Sequence, residues 1–302
     1  MGNCNPLPVF CSVSDLRKSA SSASSAFHSF FSAPPRLGGE SSTYNTGMSL
    51  ATDRCICLRK TEYSETSQIL TLLSRNHGLL RVIAKGAHRT TKAGASKFGG
   101  GIDLLDLADA VFTDHTDRDL ATLTEWSLKD GHLELRKNLR GLYLAQYAAE
   151  LVSLLIEEHD PHPELFDHLE RCLIALATPT LEQSFLAFEI QLLRETGYLP
   201  DLRECTSCGA RSLSNTSRIS FSPDRGGVLC RNCEAHFPQR LTLDARLLGI
   251  MQLFSTNGTA RLPILTRHQT DPINKLLAEY IEHTLGRRLR LPKYVVGKIP
   301  NA

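Results

Sequence analysis

The 302-residue sequence has no long apolar segment and little excess charge. No stretch approaches the roughly 18 consecutive apolar residues that a membrane-spanning helix needs. The most apolar candidate, residues 141–158, contains Glu150 and has the spacing of an amphipathic helix. A net charge of +2 is too small to indicate a nucleic-acid partner by itself. We therefore expect no membrane insertion, and any preference for nucleic acid must come from the distribution of the charges.

Sequence motifs of common enzymes are also missing. The chain has no HExxH pair of a zinc hydrolase and no GxSxG nucleophile turn. The three glycines at 99–101 are not followed by the Lys-Ser/Thr of a nucleotide-binding loop. A zinc hydrolase or deaminase is the enzyme alternative, and these absences argue against it. We expect a protein without catalytic residues.

The first 47 residues differ in composition from the rest of the chain. They contain eleven serines and the pair Pro34-Pro35, with little hydrophobic periodicity. Such a segment is too polar to bury a core. A disordered extension, translation that begins at Met48, and a transit peptide remain open as interpretations.

Residues 48–130 predict a small β-barrel. Five apolar or alternating segments are separated by turn residues, at 54–60, 67–74, 79–85, 103–113 and 120–127. This number of short strands fits a five-stranded oligonucleotide-binding (OB) barrel, which holds nucleic acid on one face and its loops. Other small barrels fit the strand count equally well.

Positive charge concentrates in the first half of this barrel. Residues 54–97 hold nine Lys or Arg against two Glu, whereas residues 99–130 hold two against eight acids. A Gly-rich loop after the third strand can bring its cations to phosphates, and Phe98 can add stacking. A solvated loop that only aids solubility is the alternative. The predicted DNA-binding residues are Arg81, Lys85, His88, Arg89, Lys92 and Lys97.

Helical spacing replaces strand alternation from Asn138 onward. Apolar residues recur every three or four positions in segments 139–159, 163–177, 181–197, 241–255 and 271–286. These segments predict a helical bundle. A second basic cluster, Arg287, Arg288, Arg290 and Lys293, can either join a DNA-binding surface or form a solvated C-terminal tail.

Four of the nine cysteines form two matching CxxC pairs separated by 21 residues. This spacing is typical of a four-thiolate structural zinc site, because each pair holds the ion through two sulfurs and a hairpin brings the pairs together. A redox or iron role and four unligated thiols are the alternatives. The predicted zinc ligands are Cys205, Cys208, Cys230 and Cys233, with one structural Zn²⁺ per chain.

The remaining cysteines of the folded region are expected to be buried. Cys55 and Cys57 lie two apart on a strand and share a face, and Cys172 lies in a helical segment. We therefore predict an α+β fold in which an N-terminal OB barrel precedes a helical domain with an inserted Cys4 zinc knuckle. The predicted boundaries are 1–47, extension; 48–130, barrel; 131–204, helices; 205–233, knuckle; 234–302, further helices and tail.

Three motifs resemble the RecO family of bacterial recombination mediators. They are YxET at 63–66, HGxxRxxAKGA at 77–87 and FExxLLxxxGYxP at 188–200. The resemblance extends from Met48 to about His283 in the order barrel, helices, cysteine pairs, helices.

The resemblance implies a function without catalysis. RecO-like proteins bind single- and double-stranded DNA, anneal complementary strands, and with RecR help load RecA onto strands coated by single-strand-binding protein. It also implies a cytoplasmic, nucleoid-associated protein. The loop at 88–97 has fewer arginines than is usual in the family, which predicts weaker DNA affinity. A zinc-stabilised adaptor between proteins, without direct DNA binding, is the alternative function.

Overall fold

Five strands close into a barrel in the computed structural model, which describes residues 49–87, 98, 101–114, 120–211, 217–257 and 262–296. The strand order is β1-β2-β3-β5-β4, with β3 and β5 parallel and all other neighbours antiparallel. This arrangement confirms the predicted OB-type barrel. The strands are β1 (Ser49–Ser64), β2 (Ser67–Ser74), β3 (Gly78–Lys85), β4 (Leu107–Asp114) and β5 (Ala121–Asp130).

Strand β1 is longer than predicted, because its first half pairs with β4 and its second half with β2. The two pairings overlap at Cys55 and Ile56, and a bulge between Cys57 and Arg59 shifts the register with β2 just beyond the overlap. The predicted start of β4 at residue 103 is wrong, because Leu105 has a φ of 68° and its N–H donates to the Cys57 carbonyl in a turn. Regular pairing therefore starts at Leu107.

The barrel interior is filled by small and aliphatic side chains with a few aromatic rings. Cys55 and Cys57 are fully buried there, as predicted. Phe98 is 2% exposed and belongs to the same cluster. The prediction that Phe98 stacks on bases is therefore wrong, because its ring completes the barrel core.

Six α-helices follow the barrel within the described ranges, and their core merges with one outer face of it. Tyr147 and Phe166 share a buried cluster with Ile56 and Leu79 of the barrel. No helix in the described ranges is long and apolar enough to span a membrane. The helices are α1 (Leu139–Leu155), α2 (Pro163–Ala175), α3 (Leu181–Glu195), α4 (Ala245–Asn257), α5 (Arg267–Leu285) and α6 (Pro292–Val295).

Local signals fix several helix ends. The Asn138 side chain accepts the Gly141 N–H at the start of α1. Gly197 has a φ of 76° just beyond α3, a left-handed conformation that commonly ends a helix. Helix α5 begins four residues earlier than predicted, at Arg267, where Thr266 and Gln269 form a capping box.

A three-stranded sheet lies between α3 and α4. Its order is β7-β6-β8, and it consists of β6 (Arg218–Ser222), β7 (Gly227–Leu229) and β8 (Leu241–Asp244). Residues 241–244 were predicted to start a helix, and this prediction is wrong. They pair with β6, so tertiary contact overrides the helical spacing of this segment.

Candidate metal centre and nucleic-acid surface

The four cysteines of the CxxC pairs meet at one point. Their sulfur atoms all lie within 4.8 Å of one another, and the Cys208 and Cys230 sulfurs are 3.6 Å apart. Sulfurs on a tetrahedral zinc at 2.3 Å are separated by about 3.8 Å. The cluster thus has the ligand number and spacing that a tetrahedral metal ion requires. Its members are Cys205, Cys208, Cys230 and Cys233.

The β6–β7 hairpin brings the two pairs together, as the spacing predicted. Thr206, inside the first pair, donates its N–H to Val228 of β7 at 3.0 Å. Gly209 has a φ of +72° and donates its N–H to the Cys205 carbonyl, which closes the first turn. A Cβ on Gly227 would lie 2.4 Å from the Asp201 carbonyl oxygen, so only glycine fits there. Backbone geometry therefore fixes the cluster.

The environment lowers the pKa of one thiol of the cluster and raises that of two others. Hydrogen bonds with Ala210 and Ser207 lower the pKa of Cys208 and Cys233 less than the neighbouring thiols raise it. Burial raises the pKa of the Cys205 thiol, but backbone N–H groups of Cys230, Ser207 and Cys208 donate to its sulfur and bring the pKa to about 6. Cys205 and Cys230 are buried. Four sulfurs this close repel one another once ionised, and a cation between them removes the repulsion. The four residues can hold a metal ion.

His236 does not belong to the cluster. It is exposed, and its Nδ1 lies 3.3 Å from the Cys233 carbonyl oxygen. His236 is therefore a surface residue next to the cluster.

Two of the six predicted DNA-binding residues lie within the described ranges. Arg81 and Lys85 are exposed on β3, and Arg81 Nε is 4.0 Å from Glu158 Oε1. The other four, His88, Arg89, Lys92 and Lys97, lie outside the described residues.

A further arginine shares the row of Arg81 across the sheet. Arg59 of β1 pairs with Thr71 of β2, and Thr71 pairs with Arg81 of β3. Directly paired residues point to the same face, and strands lie about 4.8 Å apart, so the Arg59 and Arg81 backbones are about 10 Å apart. The sequence contained Arg59, but its place beside Arg81 depends on the bulge in β1.

The second basic cluster packs against the fold and does not form a solvated tail. Leu289, between its arginines, is 8% exposed, and Val295 is fully buried. The carboxylate of Glu150 on α1 accepts the backbone N–H of Arg290 at 2.8 Å and of Leu291 at 3.1 Å. These contacts hold the arginines at the surface of α1.

Comparison with known proteins agrees with this architecture. Residues 48–132 match the family described as Recombination protein O N terminal, and residues 136–292 match Recombination protein O C terminal. DNA repair protein RecO of Anaeromyxobacter dehalogenans is 32% identical over 243 residues, which are 80% of this chain and 93% of that protein. RecO of Myxococcus xanthus is 30% identical over 242 residues, or 79% and 93% of the two chains. The chain belongs to the RecO family of DNA repair proteins.

Proposed function

We propose that this protein is a DNA-binding recombination mediator that acts without catalysis. It binds single- and double-stranded DNA and anneals complementary strands. The observation that carries the proposal is an OB-type barrel with exposed cations on β3, in a chain that belongs to a DNA repair family. An OB barrel binds strands through its face and loops, and that is where these cations lie.

The cations of β3 and the following loop hold the sugar-phosphate backbone. Contacts to phosphate position a strand and carry no base code. An annealing protein requires this arrangement, because the bases must stay free to pair with a second strand. Weak sequence preference follows. The residues assigned to this role are Arg81, Lys85, His88, Arg89, Lys92 and Lys97.

We assign one structural Zn²⁺ per chain to the cysteine cluster. Four thiolates fill a tetrahedral zinc shell and leave no position for water or substrate. When bound, the ion links the two CxxC turns and stabilises the knuckle between α3 and α4. The fit of the sulfur spacing supports the assignment.

The proposed partners are those of a RecO mediator. They are RecR, the single-strand-binding protein that coats the strand and, indirectly, RecA, which is loaded onto that strand. Family membership supports this assignment, together with a cytoplasmic, nucleoid-associated location.

Strand annealing tests function and site together. Complementary oligonucleotides are annealed with and without single-strand-binding protein, using intact protein and a variant in which Lys85, Arg89, Lys92 and Lys97 are alanine. We expect the intact protein to accelerate annealing and the variant to lose most of that acceleration.

A matched control removes the same number of charges from other exposed sites. The control variant replaces Lys129, Lys137, Arg211 and Lys275, whose side chains are 48%, 69%, 90% and 65% exposed, by alanine. It should anneal like the intact protein. If intact protein gives no shift of oligonucleotides in a gel but still binds partner proteins, the adaptor function replaces this proposal.

A further inference from the structure

A cleft of about 510 Å³ lies where the barrel meets the C-terminal basic cluster. It is bounded by β1, the turn before β4, helix α1 and the segment 287–291. Leucines such as Leu58 and Leu154 form its apolar part. The charged side chains that line it are Arg59, Lys60, Glu150, Arg287, Arg288 and Arg290.

Most of the positive charge of the cleft is not neutralised by carboxylates among the described residues, although Lys60 pairs with Asp103 at 3.2 Å. Its single acid, Glu150, already accepts two backbone N–H groups of the segment. The side chains of Arg59, Arg288 and Arg290 form no hydrogen bond or ion pair with any residue in the part of the chain that the structure describes. Such a group of like charges is stabilised by an anion that the protein itself does not supply.

The fold brings these cations together from opposite ends of the sequence. Gly286, with a φ of 63°, ends α5 and lets the chain change direction. Leu289 is buried beyond this turn, so its neighbours Arg288 and Arg290 are exposed at the cleft. Arg59 lies directly after the bulge in β1. A guanidinium fork matches the geometry of a phosphate, so two sets of arginines facing one cleft favour a ligand with several phosphates.

The cleft is continuous with the proposed DNA surface of the barrel. Arg59 lines the cleft and also stands in the row that leads through Thr71 to Arg81. On α1, Tyr143 lies one turn before Gln146 of the cleft wall and stacks on Tyr294 at 5.1 Å, with Lys293 Nζ 4.9 Å from the Tyr294 ring. Cations together with aromatic surface are typical of single-strand binding.

We propose that this cleft extends the path of a single DNA strand from β3 across Arg59 to the C-terminal arginines. The inference rests on the proposed function, because the ligand is the same strand that the barrel binds. Its phosphates lie along Arg59, Arg288 and Arg290. The segment 287–291 is thereby a functional part of the DNA surface.

Replacing the three unpaired arginines tests the proposal without disturbing the fold. The variant carries Arg59→Gln, Arg288→Gln and Arg290→Gln, and its binding of labelled oligothymidylate is followed by fluorescence anisotropy over a range of salt. Losing three phosphate contacts should make the salt slope shallower by about 2 and lower the affinity at least about tenfold near 0.1 M salt. A control with Lys129→Gln, Lys137→Gln and Lys275→Gln, all paired with carboxylates, should bind like the intact protein.

Photochemical cross-linking gives a readout that does not depend on a variant. Irradiation of intact protein with oligothymidylate should yield cross-linked peptides from residues 287–294.

An unchanged affinity in the arginine variant, or cross-links confined to the barrel, overturns the inference and leaves the proposed function standing. If intact protein binds no oligonucleotide, the proposed function is wrong, and the inference that rests on it is wrong as well. A labelled hexaglutamate peptide that binds this cleft more tightly than oligothymidylate shows an acidic-peptide site and also overturns it.

Discussion

Arg140 and Glu182 form a buried bidentate ion pair that joins α1 to α3. Arg140 Nε donates to Glu182 Oε1 at 2.9 Å, and Nη2 donates to Oε2 at 3.0 Å. The same guanidinium donates to Asp271 of α5 at 2.7 Å and to the Val295 carbonyl. This network therefore anchors the C-terminal segment that carries Arg288 and Arg290.

Breaking this pair should destabilise the helical domain strongly. Arg140→Met leaves the Glu182 carboxylate buried without its cation, which typically costs about 3–5 kcal/mol. Lys137→Met is the matched control, because Lys137 pairs with Glu134 at the surface, where such pairs contribute under about 1 kcal/mol. Urea unfolding measures both free energies. Similar losses of unfolding free energy in the two variants would show that the buried network contributes no more than a surface ion pair.

Metal content should follow the cysteine cluster alone. Intact protein purified without chelator should hold one zinc per chain, and Cys208→Ser should lower the content well below one. Cys172→Ser is the control, because this buried thiol of α2 lies apart from the cluster. Elemental analysis checks both. A structural zinc supplies on the order of 10 kcal/mol in small peptides, so the first variant should also unfold the knuckle.

The affinity for single-stranded DNA should depend steeply on salt. If the barrel surface neutralises about five phosphates, it contributes about −3.5 to the slope of log K against log salt. This contribution alone lowers the affinity roughly a hundredfold between about 50 and 200 mM salt. Titrations of labelled oligonucleotide measure the slope, and a flat response contradicts the proposed surface.

Glu158 should compete with DNA for Arg81. Its carboxylate lies 4.0 Å from the Arg81 guanidinium at the barrel surface. Glu158→Gln removes this competitor and should raise DNA affinity by up to about fivefold, since an exposed pair contributes under about 1 kcal/mol. Glu157→Gln is the control, because Glu157 has no ion pair among the described residues. Equal effects of the two changes on DNA affinity would show that Arg81 does not contact DNA.

Glu189 should make stability depend on pH. This residue of the FExxLL motif is fully buried, its carboxylate has no hydrogen-bond partner in the described part of the chain, and burial raises its pKa from 4.5 to about 8. Between these values the folded protein keeps a proton that the unfolded chain has released, so the free energy of unfolding falls as pH rises toward 8.

Glu189→Gln should flatten this dependence and raise stability at pH 8, because the amide carries no titratable proton. Glu164→Gln, at an exposed position of α2, should leave the dependence unchanged. Thermal unfolding across this pH range measures both variants. If stability still depends steeply on pH in the Glu189 variant, another group is responsible for that dependence.

Local pattern was sufficient for much of the fold and for the clustering of the four cysteines. Strands β2 and β3 and helices α1 to α3 were predicted to within a few residues, because alternation and helical spacing are properties of neighbouring residues. Cys205 and Cys233 were assigned to one cluster on spacing alone, since two CxxC turns joined by a hairpin-length segment have few other ways to fold. Family membership was predicted from three short motifs.

The remaining features depend on contacts between residues that are distant in the chain. Phe98 was predicted to stack on bases but fills the barrel, and residues 241–244 form a strand because β6 lies beside them. Arg59 meets Arg288 and Arg290 only because β1 bulges and Glu150 holds the C-terminal segment. The sequence by itself determined most of the helices, most of the barrel strands and which cysteines cluster. Tertiary packing decided the strand at 241–244 and which charges share a surface, because long-range pairing and burial are not encoded in the spacing of neighbouring residues.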